Sequence, residues 1–376
     1  MDISFKYDCN LDIESFVHML DDPTECYKFY WLDSIMTNIS EGKFVFSFDD
    51  TISGMIADAW YSVKGCHLKL GPRNSDGSFA NGIERAIDIL DGPGSPDADA
   101  GREIVFEYIK RSGKEIHDIK YQLSKNVPYR IFSSFFTTIG GNDRIWDQRS
   151  RLITYMYAIN KTNCLPYLIG DEKGLSRTIR INSEWDKFFQ DNMISIKGWI
   201  QMKKLQYLQR RNPDIPGIIN KLSPGDDKKR KLENVRKLWA AVMYNSCFTD
   251  IYTGDRIDVN DFEIDHFIPW SFVSNDELWN LIPTTPASNS RKKDRLPNWN
   301  YYELFTKKQY ELNNSIYQNQ DLYILFNNCR RDNLNSIWSL NDLYIKGIGY
   351  ERFYHVLIEK MKPLYDSAHL IGYEIW

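Results

Sequence analysis

The hydrophobic residues of the N-terminal third recur at helical spacing. Residues 26–39 carry Phe29, Leu32 and Ile35, and residues 47–63 repeat the pattern with Ile52 and Ile56. Apolar side chains three and four positions apart line one face of an α-helix. We therefore expect residues 1–195 to form a mostly helical region.

The pattern changes between residues 262 and 296. FEIDHFIP (residues 262–269) is typical of a short strand ended by Pro269, and WNLIPT (279–284) of a second strand. ASNSRKKDRL (287–296) begins with small polar residues and turns basic, which predicts a helix of about two turns. After residue 300 the apolar spacing is helical again. The predicted class is α+β, and the predicted segments are a helical region 1–195, a basic helical connector 196–240, a strand–loop–strand–helix core 241–300 and packing helices 301–376.

The charge is unevenly distributed along the chain. The formal net charge is -4, yet residues 197–237 contain 12 Lys or Arg against four Asp or Glu. Two interpretations stay open: a solvated helix face with a linker, or an electrostatic contact surface for a phosphate backbone. The candidates for phosphate contact are Lys228, Lys229 and Arg230.

The six cysteines are scattered, with no CxxC pair among them. This spacing argues against a zinc ribbon or a thioredoxin-type redox site, so no structural zinc is expected. The N-terminus lacks a basic segment followed by an apolar run, and no 18 apolar residues occur together. We expect a soluble, cytoplasmic protein with no membrane partner.

The core segment combines residue types that suit phosphodiester hydrolysis. His266 can act as a general base near neutral pH. Asp265 and the side-chain oxygen of Asn289 are hard ligands suited to Mg²⁺, with Mn²⁺ as an alternative. Lys292 and Lys293 follow Asn289 at i+3 and i+4, so we expect them to share its helix face and neutralise phosphate charge. On a flat strand, however, Asp265 and His266 would point to opposite faces.

This segment resembles the HNH, or ββα-metal, endonuclease family. The matching residues are DHxxPxSF at Asp265–Phe272, then Asn280 and Asn289, at spacings of 14 and nine residues from His266 onward. These spacings are similar to those of the HNH domain in the RNA-guided Cas9 nucleases. The resemblance implies that His266 is the general base and that Asp265 and Asn289 hold one divalent cation. It also implies that Asn280 orients the histidine through the backbone.

The resemblance also implies a function and leaves several points open. Tyr252-Thr253-Gly254 is similar to a turn that often opens these domains, whereas the last position of the motif is Asn289 rather than histidine. The implied activity is metal-dependent cleavage of DNA in bacterial restriction or anti-phage defence, with RNA not excluded. The alternatives are a non-catalytic module that binds or senses nucleic acid, and an effector freed by an ATPase partner or a small-molecule signal.

Overall fold

A computed structural model of the chain describes residues 11–21, 23–136, 148–160, 165–224, 230–244 and 247–376. The chain divides into two compact units. The first comprises Met1–Pro213 and Lys221–Pro224, and the second comprises Asp214–Asn220 and Gly225–Trp376. This division falls within the predicted connector, and the bounds of the four predicted segments stay predictions.

The first unit is mostly helical. Helix α3 begins at a reciprocal cap, in which the Ser47 hydroxyl accepts from the Asp50 amide and the Asp50 carboxylate accepts from the Ser47 amide. Its helices are α1 (Ile13–Val17), α2 (Tyr27–Ser40), α3 (Phe48–Trp60), α4 (Gly82–Leu90), α5 (Arg102–Arg111), α6 (His117–Ser124), α7 (Val127–Arg130), α8 (Arg149–Ile159), α9 (Ser183–Asp191) and α10 (Met193–Arg211).

A small antiparallel sheet completes the first unit. Its strands are β1 (Val45–Ser47), β2 (Tyr167–Ile169) and β3 (Thr178–Ile181), in the order β1-β3-β2. The Trp31 indole donates to the Tyr167 hydroxyl over 2.9 Å and ties α2 to this sheet. The hydrophobic pattern did not predict the sheet, because its strands are only three or four residues long.

The second unit holds a two-stranded sheet surrounded by helices. Strands β4 (Glu263–His266) and β5 (Leu281–Thr284) pair antiparallel, with Asp265 opposite Ile282 and His266 opposite Leu281. Its helices are α11 (Glu233–Tyr244), α12 (Trp270–Val273), α13 (Pro286–Lys292), α14 (Tyr302–Gln318), α15 (Gln320–Cys329) and α16 (Tyr350–Leu370).

The predicted α+β class is confirmed. The helix of about two turns predicted within residues 287–296 corresponds to α13, which has seven residues and ends at Lys292. Within the predicted connector, α11 begins at Glu233. Lys228 and Lys229 lie outside the described residues. Within the described ranges, no helix combines the length and apolar character of a membrane span.

Candidate active site

Two of the predicted site residues lie at the end of strand β4 and line one pocket. Asp265 and His266 are its last residues, and both line a pocket of about 200 Å³ together with Asn289 from α13. Strand β4 ends at His266. The side chains of Asp265 and His266 are therefore not held on opposite faces of the sheet, as they would be in the middle of a flat strand. Both residues are only 3% exposed. The pocket therefore unites the predicted base with both predicted metal ligands.

His266 is held by an acidic partner. Its Nε2 lies 3.0 Å from Oδ1 of Asp276, a residue of the loop between α12 and β5. Burial lowers the pKa of His266 below its usual value of 6.5, although Asp276 acts in the opposite direction. The imidazole is therefore mostly neutral at pH 7 and able to accept a proton.

The Asp265 carboxylate receives a hydrogen bond at each oxygen. The Tyr252 hydroxyl donates to Oδ2 over 2.6 Å, and the Lys292 ammonium donates to Oδ1 over 2.9 Å. Lys292 also donates to the main-chain oxygen of His266 over 2.7 Å. Lys292 is 0% exposed, so its charge is compensated within the protein rather than by solvent.

The two predicted phosphate-neutralising lysines occupy different environments. Lys293 follows the last residue of α13, adopts a φ of 50° and is exposed on the pocket wall. The expectation that Lys292 and Lys293 share one helix face is therefore wrong, because the helix ends between them. Lys292 faces Asp265, and its contact with nucleic acid stays a prediction, as does that of Lys293.

Asn280 forms hydrogen bonds with the backbone that follows His266. Its side-chain oxygen accepts from the Ile268 amide, and its side-chain nitrogen donates to the Ile268 carbonyl, each over 2.8 Å. Its own carbonyl accepts from the Phe267 amide over 2.9 Å. Asn280 is fully buried, so it satisfies a stretch of backbone that water does not reach.

Asn289 and Asp265 form a donor set that suits a hard cation. The Asn289 amide nitrogen donates to the exposed carboxylate of Glu263, an arrangement that leaves the carbonyl oxygen as the coordinating atom. Carboxylate and amide oxygens are ligands that Mg²⁺ and Mn²⁺ accept. Within the described ranges, no three His, Cys, Asp or Glu side chains cluster as a metal site. A cation here would complete its shell with water and substrate oxygens.

Asp250 joins the turn at Tyr252 to the start of α13. Its carboxylate accepts from the Thr284 hydroxyl, from the Thr285 amide and hydroxyl, and from the Tyr252 amide, over 2.8–3.0 Å. Burial raises the pKa of Asp250, but hydrogen bonds led by the Thr285 amide hold it below its usual value. The bonded carboxylate fixes the position of Asn289 through α13.

Sequence reasoning missed several residues of the site. Asp276 lies in a polar loop without periodicity, and only its acidic character, ten positions after His266, could have indicated the contact. Trp270 was not singled out, although it lines the pocket. Arg230, predicted as a phosphate contact, also lines the pocket, and its guanidinium carbon lies 5.5 Å from the Trp270 ring centroid.

Comparison with known proteins places this segment in a family. Residues 250–298 match the family model described as HNH endonuclease. A stretch of 51 residues is 37% identical to the CRISPR-associated endonuclease Cas9 of Listeria innocua serovar 6a. That alignment covers 13% of this chain and 4% of the relative's length, so the likeness concerns the HNH segment alone.

The matched segment contains the secondary structure that the pattern predicted. It begins at Asp250, includes β4, β5 and α13, and ends just after the residues that line the pocket. The resemblance inferred from the DHxxPxSF pattern is confirmed. Residues 250–298 of this chain are similar to HNH endonuclease domains, and the similarity covers that segment alone.

Proposed function

We propose that this protein is a divalent-metal-dependent endonuclease that hydrolyses phosphodiester bonds in DNA. The observation that carries the proposal is the convergence of a buried neutral imidazole, a carboxylate and an amide oxygen on one pocket of about 200 Å³. This set supplies a base and two hard ligands, which phosphodiester hydrolysis requires. The HNH family match supports the same conclusion.

In the proposed mechanism, His266 accepts the proton of the attacking water, and Asp276 orients the ring and stabilises the imidazolium that results. Asn280 fixes the main chain beyond the histidine, so the base keeps its position during the reaction. Asp265 and Asn289 would hold Mg²⁺ or Mn²⁺, which when bound supplies charge stabilisation at the phosphate and the leaving oxygen.

The proposed biological role is restriction or anti-phage defence, with DNA as substrate. The small pocket offers few groups that could read a base sequence, so selectivity would come from outside residues 241–300. We propose that residues 1–195 supply this recognition or regulation, that Lys228, Lys229 and Arg230 of the connector contact phosphates, and that residues 301–376 pack on the nuclease. An ATPase partner or a small-molecule signal would act through the first of these regions.

A plasmid-nicking assay tests the proposal. Purified protein is incubated with supercoiled DNA in Mg²⁺, in Mn²⁺ and in EDTA, beside His266→Ala and a matched control, His355→Ala. His355 is an exposed histidine of α16, so its replacement leaves the pocket intact. We expect metal-dependent nicking by the wild type and by the control but not by His266→Ala.

The same assay distinguishes the alternatives. A parallel incubation with labelled single-stranded RNA identifies an RNA-cleaving nuclease. Equal cutting by His266→Ala and the wild type would contradict the assignment of the base. Binding of nucleic acid without cutting in any metal would favour a non-catalytic module, and cutting restored by an added ATPase or nucleotide would favour a restrained effector.

A further inference from the structure

An aromatic side chain forms part of a mostly polar pocket. Among the described residues that line the pocket with His266, Trp270 is the one aromatic side chain. Buried tryptophans of the same unit, such as Trp239 and Trp279, belong to its core, whereas Trp270 is half-buried. Part of this ring is therefore accessible at the pocket.

The backbone that carries this ring is restrained. Trp270 is the first residue of α12 and directly follows Pro269, whose ring restricts the chain. The Trp270 carbonyl accepts from the Ser274 amide over 2.7 Å at the other end of the short helix. A tryptophan side chain on such a backbone has only two rotatable bonds, so it loses little conformational entropy when a ligand stacks on it.

Arg230 extends the aromatic surface with a charged plane. Its guanidinium carbon lies 5.5 Å from the Trp270 ring centroid, and Arg230 is exposed. Lys293 is exposed on the same pocket wall and Asp294 opposes it, so the exposed lining charges sum to one positive charge. Indole rings and guanidinium planes both stack on nucleobases, and the positive charge favours the adjoining phosphates.

The width of the pocket can be compared with the spacing of bases along a nucleic-acid strand. A volume of about 200 Å³ corresponds to a cavity roughly 7 Å across, which is about two base steps at 3.4 Å per step along one strand. His266 and Trp270 line the same pocket, so a base adjoining a phosphate at His266 would lie within reach of Trp270. In an intact duplex the faces of that base are covered by the adjacent base pairs, and only an unpaired or flipped base could stack there.

We infer that Trp270 and Arg230 form a stacking site for a nucleobase next to the cleaved bond. The preferred substrate is accordingly a strand that is unpaired at the cut, such as a single strand, a bulge or a displaced strand. This inference rests on the proposed nuclease function, and it adds a substrate class to it.

Equilibrium binding in a non-cleaving background tests the inference. The His266→Ala protein is titrated in Mg²⁺ against a fluorescein-labelled 20-nucleotide single strand and against the matching duplex. Trp270→Ala, Trp270→Phe and Arg230→Ala are added singly to this background. Arg230 is exposed, so its replacement tests the stack without removing a core side chain.

Stacking contributes about 1–3 kcal/mol per base, so we expect Trp270→Ala to weaken single-strand binding about tenfold or more. Trp270→Phe keeps a ring, so its affinity for the single strand should fall less than threefold. The loss of affinity in Arg230→Ala should lie between those of the two Trp270 variants. Duplex binding should change less than single-strand binding in each variant.

Two results would overturn the inference while leaving the nuclease proposal intact. One is single-strand binding that does not depend on Trp270 or Arg230. The other is an equal loss for single strand and duplex, which would indicate a contact to the phosphate backbone alone. If the His266→Ala protein bound neither nucleic acid, the proposed function would fail together with the inference.

Discussion

Lys292 offers the strongest test of how the site is assembled. Its ammonium donates to Asp265 and to the main-chain oxygen of His266, and the side chain is fully buried. Replacing Lys292 with Met keeps a side chain of similar length but removes the charge and both hydrogen bonds. The Asp265 carboxylate would then remain buried, with the Tyr252 hydroxyl as its remaining hydrogen-bond donor among the bonds described above.

The magnitude follows from the burial of the ion pair. Removing one partner of a buried pair costs about 3–5 kcal/mol, because the other charge is left uncompensated. Lys292→Met should therefore lower the local unfolding free energy by about that amount. Adding Asp265→Asn to this variant removes the stranded charge, so the double variant should be more stable than Lys292→Met alone by about 2 kcal/mol or more.

Hydrogen exchange of the β4 and β5 amides is the appropriate assay. The chain has two compact units, so whole-chain unfolding need not be a single two-state transition, whereas exchange reports the opening of these strands. Mg²⁺ should slow exchange in Lys292→Met, since free metal at 100 times its Kd contributes about 2.7 kcal/mol. The reasoning would be refuted if the opening free energy of β4 and β5 in Lys292→Met were within about 1 kcal/mol of the wild-type value. A double variant less stable than Lys292→Met would also refute it.

Three further predictions concern single residues. Asn280→Ala leaves the amide and carbonyl of Ile268 without their buried partner, so hydrogen exchange of the β4 and β5 amides should show an opening free energy lower by about 2–4 kcal/mol, and unchanged exchange would contradict this. Asp276→Asn removes a group that raises the pKa of His266, so the acid limb of kcat/KM should move to lower pH while the plateau falls about tenfold; a limb that moved to higher pH would reverse the assigned role. Burial raises the pKa of Glu84 to about 7 from 4.5, so the folded protein binds the proton more tightly than the unfolded chain, and stability should fall as pH rises from 4.5 through 7. Hydrogen exchange of the α4 amides at pH 5 and pH 8, corrected for the intrinsic pH dependence of exchange, should show a loss of roughly 2.5 kcal/mol in opening free energy that Glu84→Gln largely abolishes, and equal pH dependence in both proteins would contradict it.

The sequence predicted the HNH segment well because its chemistry is encoded locally. Pro269 lies between the first strand and α12, and small polar residues before a basic run mark α13. His266, Asp265 and Asn289 lie within 25 residues of each other, so a short pattern with fixed spacing was enough to identify them. Their convergence on one pocket followed from the family resemblance rather than from periodicity.

The features that escaped prediction depend on contacts distant in sequence or on the end of an element. Strands β1 and β3 pair across more than 130 residues, and neither is long enough to show alternation. Two consecutive lysines look alike in sequence, and only the end of α13 between them separates a buried Lys292 from an exposed Lys293. The stack of Arg230 on Trp270 joins residues 40 positions apart that belong to no common pattern.

The central claim is that His266 is the general base of a phosphodiesterase site. The most direct measurement is the single-turnover rate of cleavage of a labelled DNA strand in Mg²⁺ by the wild type and by His266→Ala, with far-ultraviolet circular dichroism as a check of folding. General base catalysis contributes about 10²–10⁴-fold, so the variant should be slower by at least the lower value. A folded His266→Ala protein that cleaves within a few-fold of the wild type would contradict the claim.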